Sequence, residues 1–242
     1  MILLRKRDLI ALSFSCAAFL VVSFMILSNF NALPAQVFSP QSKTPATVVI
    51  DAGHGGEDGG AVSGTGVKES HLNLVVAQRI DELFRFTGNR TVMTRREDVS
   101  ICDDGLNTIR KRKASDLQNR VTLVNTTPYA ILISIHQNSL PSSVITRGAQ
   151  VFWNTQDGAQ ELAVSIQDVL NAVVNTGNEK QAKSIPNTIY LTKHALAPSV
   201  VVECGFLSNP EETALLQQSP HQLKLAVSVT AGYLRCLKGE PI

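Results

Sequence analysis

The chain has 242 residues, a length that accommodates one ordinary domain plus a short appendage. Its 22 lysines and arginines nearly balance its 20 aspartates and glutamates, which gives a net charge of +2. This balance provides no sustained positive field of the kind that nucleic-acid binding requires, so DNA and RNA are excluded as partners. Cys16, Cys102, Cys204 and Cys236 form no CxxC pair, so neither a disulfide framework nor a cysteine-based zinc site is expected.

Residues 1–30 are predicted to anchor the chain in a membrane. Three basic residues at positions 5–7 precede the uncharged stretch 9–27, which is about long enough to cross a bilayer as a helix. A cleavable signal peptide is the alternative, but its apolar region is shorter, and the Leu-Pro-Ala at 33–35 is a poor cleavage site. Basic residues before the span place everything after it outside the cytoplasm.

Residues 31–46 are predicted to be a linker, because Pro34, Pro40 and Pro45 interrupt a polar stretch that has no apolar period. Beyond the linker, short apolar runs alternate with amphipathic stretches, which is typical of an α/β domain over residues 47–242. Strands are predicted at residues 47–51, 89–94, 130–135, 150–153, 188–191 and 199–202. Helices are predicted at residues 72–86, 117–124, 158–174, 211–217 and 222–237.

The charged segment 95–115 is interpreted as a solvated loop or helix surface. It carries a basic cluster at residues 110–113. Contact of this cluster with an anionic polymer is the alternative interpretation.

Three ionisable residues follow or end predicted strands: His54, His136 and Glu203. Ligands of open α/β sheets bind outside the carboxyl ends of the strands, so these residues are candidates for one site. A single strand-end histidine is more often only a hydrogen-bonded loop residue. A carboxylate directly after three valines, however, needs a partner to offset its desolvation. Imidazole suits zinc, and a catalytic zinc takes three protein ligands, so two histidines require one more.

The segment DAGHGGEDGGAVSGTGVKES at residues 51–70 resembles the opening signature of the zinc N-acetylmuramoyl-L-alanine amidases. SIHQNS at 134–139 and VECGFLSNPEE at 202–212 resemble further motifs of that family, in the same order. The resemblance covers residues 47–237. It implies an α/β fold with a twisted, mostly parallel mixed sheet and helices on both faces. It also implies that His54, Glu69 and His136 bind Zn²⁺ and that Glu203 is catalytic.

The activity implied by the resemblance is hydrolysis of the amide bond between N-acetylmuramic acid and L-alanine of the peptide stem in bacterial peptidoglycan. Zinc would activate a water molecule, and Glu203 would serve as general acid and base. Asn138 is a candidate for substrate binding, with a strand-end cap as the alternative. Arg120 matches a family arginine and is interpreted as a structural ion-pair partner. The remaining histidines are assigned to surfaces or loops: His71, His194 and His221.

The long charged stretch, the single anchor and the lack of a wall-binding repeat in the sequence resemble the branch that trims spore-cortex peptidoglycan. No long extra helix is expected after His136, so the self-blocking segment of some division amidases is not expected either. Whether a protein activator is needed stays open. Two alternatives remain: a non-catalytic peptidoglycan-binding protein, and a zinc deacetylase or carboxypeptidase acting on the same polymer.

Overall fold

A computed structural model describes residues 46–186 and 188–239 of the chain. The predicted anchor and residues 31–45 of the predicted linker lie outside the described residues. Within the described part, no helix is long and apolar enough to cross a membrane.

Helices and strands are interleaved along the described chain, as the sequence pattern predicts, although β4 directly follows β3 and two helices end the domain. The strands are β1 (Thr47–Ala52), β2 (Arg90–Met93), β3 (Ala130–Asn138), β4 (Gln150–Trp153), β5 (Lys183–Ser184) and β6 (Ser199–Phe206). The helices are α1 (Glu69–Phe86), α2 (Ile109–Thr126), α3 (Ala159–Val173), α4 (Tyr190–His194), α5 (Pro210–Leu216) and α6 (Ser219–Lys238).

All six strands belong to one mixed sheet in the order β2-β1-β3-β6-β4-β5. The pairing of β4 with β6 is antiparallel, and the other four pairings are parallel. The expectation of a mostly parallel mixed sheet is therefore confirmed. Because β1, β3 and β6 are parallel neighbours, their carboxyl ends meet at one edge of the sheet.

Helices cover both faces of the sheet, also as expected. Val48 and Ile50 of β1 face a large core that α1, α3 and α6 complete, whereas Val49 faces a smaller cluster with Val124 of α2 and Leu191 of α4. This alternation follows from the two-residue period of a strand. The larger core sets the packing of the domain, and the smaller cluster places α2 and α4 on the face that will hold the site.

Two expected elements differ in the structure. Residues 188–191 are not a strand, because α4 begins at Tyr190 and the edge strand is β5. Apolar and β-branched residues made this segment look like a strand, but tertiary packing overrides such propensity: Leu191 is buried from a short helix. Helix α2 begins at Ile109, so the second half of the charged segment is helix surface rather than loop.

Three strand and helix ends differ from the expected positions in ways that affect the site. Strands β3 and β6 continue to Asn138 and Phe206, so His136 and Glu203 lie inside strands rather than at their ends. Helix α1 starts at Glu69 rather than Leu72, which places Glu69 in its first turn. The fully described segment between β3 and β4 contains no helix, as expected.

Arg120 of α2 connects the helix to the sheet through its guanidinium group, which is buried, with the residue only 2% exposed. Its Nε donates to Asp116 at 2.6 Å, and its Nη1 donates to Asp51 of β1. Its Nη2 donates to the backbone carbonyl of His54 at 2.8 Å. The two ion pairs agree with the structural role that the sequence indicated.

Arg120→Met should lower the free energy of unfolding by about 3–5 kcal/mol, because it leaves two carboxylates without their shared cation. Urea denaturation measures this change. Arg110→Met on the exposed first turn of the same helix is the control and should change stability by less than about 0.5 kcal/mol. Equal stabilities of the two variants would show that Arg120 does not hold α2 on the sheet.

Candidate metal centre

His54 lies just beyond β1 in a left-handed backbone conformation, with φ of +60°. Such a conformation is strained for a residue other than glycine and persists only where the surroundings impose it. Here two buried guanidinium groups hold the segment: Arg120 binds the carbonyl of His54, and Arg95 Nη2 binds the carbonyl of Gly53 at 3.0 Å. The backbone therefore fixes the position from which the side chain of His54 extends.

Glu69 presents its carboxylate to the same region from the first turn of α1. Its Oε2 accepts from the backbone N–H of Ala61 at 2.8 Å, and its Oε1 accepts from the backbone N–H of Gln137 at 3.1 Å. The side-chain amide of Asn73, one turn along α1, donates to Oε1 at 3.3 Å. These donors hold a buried carboxylate in one orientation.

The two histidines and Glu69 form one cluster. The Oε1 atom of Glu69 lies 2.8 Å from His136 Nδ1 and 3.3 Å from His54 Nε2. One ligand atom from each of the three residues lies within 4.8 Å of the other two. The structure thus brings together the three residues that the resemblance assigned to zinc, in an arrangement that could hold a metal ion.

Glu203 lies beside this cluster, because His136 and Glu203 are register partners on the paired strands β3 and β6. Its Oε2 is buried and has no hydrogen-bond partner among the residues that the structure describes. Burial raises the pKa of Glu203 to about 7, although the charge of His136 opposes the shift. A buried carboxylate oxygen without a partner costs free energy, so a cation or proton donor entering the cluster would satisfy it. Glu203 and the donor set together fit a metal site.

The histidines and carboxylates of the cluster stabilise one another's charged forms. Burial alone would raise the pKa of Glu69, but hydrogen bonds from His136 and His54 hold it well below its usual range. Burial alone would lower the pKa of His54, but hydrogen bonds with Asp58 and Glu69 raise it to about 9. A metal ion needs the unprotonated imidazole, so protons compete with the metal for this site below that pH.

The cluster opens into a cleft of about 510 Å³ on the α2 and α4 side of the sheet. Leu117 and Lys113 of α2 line part of the cleft, and residues 185–186 and 188–192 form a second, mainly apolar part of its lining. Asn138 also lines the cleft, and its Oδ1 accepts from the backbone N–H of Ser139 at 2.7 Å. The Oδ1 contact matches the strand-end cap, and the position in the cleft allows contact with a ligand.

The other three histidines of the chain lie away from the cluster. His71 is exposed on α1 and pairs with Asp98 at 2.8 Å. His194 is exposed on α4, and His221 is half-buried on α6. Within the described residues, none of the three belongs to the group that could bind a metal.

Sequence reasoning missed three residues that support the cluster. Asp58 contacts His54 Nδ1 at 2.9 Å, and Asn73 and Arg95 hold the carbonyl of Gly53. Asp58 lies four residues after His54 in the glycine-rich segment, and that proximity is the signal that could have identified it. Asn73 and Arg95 depend on long-range packing and carry no comparable sequence signal.

The matching family model, N-acetylmuramoyl-L-alanine amidase (Amidase_3), spans residues 48–235. This chain belongs to the N-acetylmuramoyl-L-alanine amidase family. The germination-specific N-acetylmuramoyl-L-alanine amidase of Bacillus subtilis (strain 168) is 36% identical over 196 residues, which are 80% of this chain and 81% of that protein. The family resemblance of the sequence is thereby confirmed.

Two solved structures share the fold. The CwlD amidase from Clostridioides difficile, in complex with the GerS lipoprotein, has a TM-score of 0.77 and 32% identity over 81% of this chain and 100% of that chain. An N-acetylmuramoyl-L-alanine amidase from Clostridium difficile 630 has a TM-score of 0.70 and 26% identity over 82% of this chain and 100% of that chain. The similarity to a germination-specific relative is consistent with the spore-cortex branch.

Gly53→Ala should damage the candidate metal centre. A Cβ at this position would lie 2.2 Å from His136 Nε2, so the imidazole would have to move out of the cluster. We expect Zn²⁺ affinity, measured by titration, to fall about tenfold or more. Gly64→Ala is the matched control, because its Cβ would meet nothing within 4 Å and should leave the affinity unchanged. Unchanged affinity in Gly53→Ala would remove His136 from the metal centre.

Proposed function

We propose that this protein is a zinc-dependent amidase that hydrolyses the bond between N-acetylmuramic acid and the L-alanine of the peptide stem in peptidoglycan. The observation that carries the proposal is the His54–Glu69–His136 cluster beside Glu203. His54, His136 and Glu203 line one cleft, and Glu69 contacts both histidines, in a chain that belongs to the amidase family.

The donor set supports zinc as the metal. Two imidazole nitrogens and one carboxylate are a ligand combination that catalytic zinc sites use, with a further position left for water or substrate. When bound, zinc supplies an activated water and polarises the carbonyl of the bond to be cut. The thiol of Cys204 is not a competing ligand, because Cys204 is buried in the large core and is not part of the group that could hold a metal.

Glu203 is the proposed general acid and base. Its Oε2 would take a proton from the attacking water and return one to the amine of the departing L-alanine. Burial raises the pKa of Glu203, which favours a carboxyl group that can hold as well as release a proton. Asn138 is proposed to bind substrate through its Nδ2, because its Oδ1 is already used within the loop.

The products of digestion test the proposed reaction. Purified peptidoglycan treated with the zinc-loaded protein should yield glycan strands whose muramic acids carry free lactyl carboxyl groups, and peptide stems with a free L-alanine amine. Mass spectrometry identifies both products. Loss of acetyl groups, or of the last residue of the stem, would identify a deacetylase or carboxypeptidase instead. Intact polymer would identify a binding protein.

Substitutions should separate ligands from catalyst. His54→Ala, Glu69→Ala and His136→Ala should each lose zinc and activity, because each removes a bond to the metal. Glu203→Gln should keep zinc but release peptide stems at least about a hundredfold more slowly, since an amide cannot accept the proton.

Glu211→Gln removes one exposed carboxylate on α5 and is the control for Glu203→Gln. It should change neither zinc binding nor activity. Zinc loss in Glu203→Gln would make Glu203 a ligand, and full activity would remove it from the mechanism.

The proposed substrate lies outside the cytoplasmic membrane, so we propose that the catalytic domain is also outside, anchored through residues 9–27. The lipoprotein complex of the Clostridioides difficile relative supports a protein partner for this chain as well. A reporter fused after Ile242 should be active only outside the cytoplasm, and the protein should stay with membranes in high salt. A shortened form in the soluble fraction would instead indicate a cleaved signal peptide.

A further inference from the structure

We propose that Asp58 is a positioning residue that fixes the orientation and tautomer of His54 and thereby sets the affinity of the centre for metal. The inference rests on the proposed zinc site. It concerns a contact behind the ligands, on the side of His54 that faces away from Glu69.

The two ring nitrogens of His54 have different partners. Nδ1 lies 2.9 Å from Asp58 Oδ2, whereas Nε2 lies 3.3 Å from Glu69 Oε1 in the cluster. If Nδ1–H donates to Asp58, the lone pair of Nε2 points to the place where the three ligand atoms converge. Carboxylate partners of metal-binding histidines act in this way, by fixing the tautomer and turning the ring.

Asp58 is itself held in place, which an orienting group must be. Lys113 Nζ lies 3.0 Å from Oδ2, and the backbone N–H of Gly60 donates to Oδ1 at 3.4 Å. The backbones of Gly55 and Asp58 exchange two hydrogen bonds, at 2.9 and 3.2 Å. The carboxylate therefore stands on a closed turn that begins one residue after His54.

The exposed fractions of the side chains indicate which contact of Asp58 affects metal affinity more. The side chains of His54 and Asp58 are 21% and 29% exposed, whereas that of Lys113 is 51% exposed. Exposed ion pairs contribute little because water and salt screen them. We therefore expect the contact with His54 to affect metal affinity and the contact with Lys113 to have a small effect.

The preceding residue provides a matched control. Glu57 also pairs with α2, through Arg112 Nη2 at 2.6 Å, but among the described contacts it touches none of the three candidate ligands. A role limited to docking the loop on α2 would affect Glu57 and Asp58 alike. A role in orienting His54 would affect Asp58 alone.

The experiment measures Zn²⁺ affinity of the full-length protein by competition with a chelator. Asp58→Asn should weaken binding about 10- to 100-fold, because the neutral amide is a poorer acceptor and can favour the other tautomer. Glu57→Gln should stay within about twofold, and Lys113→Met within about threefold. Asp58→Glu, which keeps the charge, should recover part of the loss. Melting of the metal-free proteins shows that each variant is folded.

Nitrogen NMR of the zinc-loaded wild-type protein tests the same inference without a substitution. The expected signal has the proton of His54 on Nδ1, and a proton on Nε2 would overturn the inference. Wild-type affinity in Asp58→Asn, or equal losses in Asp58→Asn and Glu57→Gln, would also overturn it. Failure of the wild-type protein to bind zinc would instead overturn the proposed function, so the two failures are distinguishable.

Discussion

The candidate site depends on two buried guanidinium groups that hold the chain as it leaves β1. Arg120 and Arg95 together donate to the three consecutive carbonyls of residues 52–54. Burying two cations side by side is costly, and burial together with the charge of Arg120 lowers the pKa of Arg95. Asp51 and Asp116 compensate as buried carboxylates in the same network. Because the network holds the backbone, His54 can keep a strained conformation that aims its ring at the cluster.

The parallel sheet then adds the remaining groups with little freedom of position. Neighbouring strands place His136 beside Glu203, and the first turn of α1 delivers Glu69 to the same edge. The surroundings shift the pKa values of the two carboxyl groups in opposite directions. Contacts with histidines outweigh burial and lower the pKa of Glu69, whereas burial raises the pKa of Glu203. Opposed pKa shifts of this kind are typical of sites in which two carboxyl groups have different roles.

The sequence predicted the sheet and the location of the site better than it predicted the limits of the elements. The strand pattern and the motifs around His54, His136 and Glu203 are local, so they can be recognised without a structure. Glu69 came from the family resemblance alone, because nothing in its own surroundings marks it as a ligand. The short helix α4 was missed because its burial depends on distant residues. Asp58 was missed although it lies only four residues after His54, because proximity in sequence does not show which ring nitrogen a carboxylate contacts.

The contacts of the basic cluster at residues 110–113 change its interpretation. Arg112 and Lys113 pair with two consecutive acidic residues, Glu57 and Asp58, of the segment that carries His54. Two of the four basic residues therefore form ion pairs within the protein. Fewer positive charges are left to bind an anionic polymer than the sequence indicated. Helix α2 binds this segment twice, through the paired charges at its exposed start and through Arg120 at its buried centre. Within the charged segment 95–115, the buried Arg95 holds the carbonyl of Gly53 and so helps to position the candidate metal centre, whereas the exposed pairs of Arg112 and Lys113 contribute little.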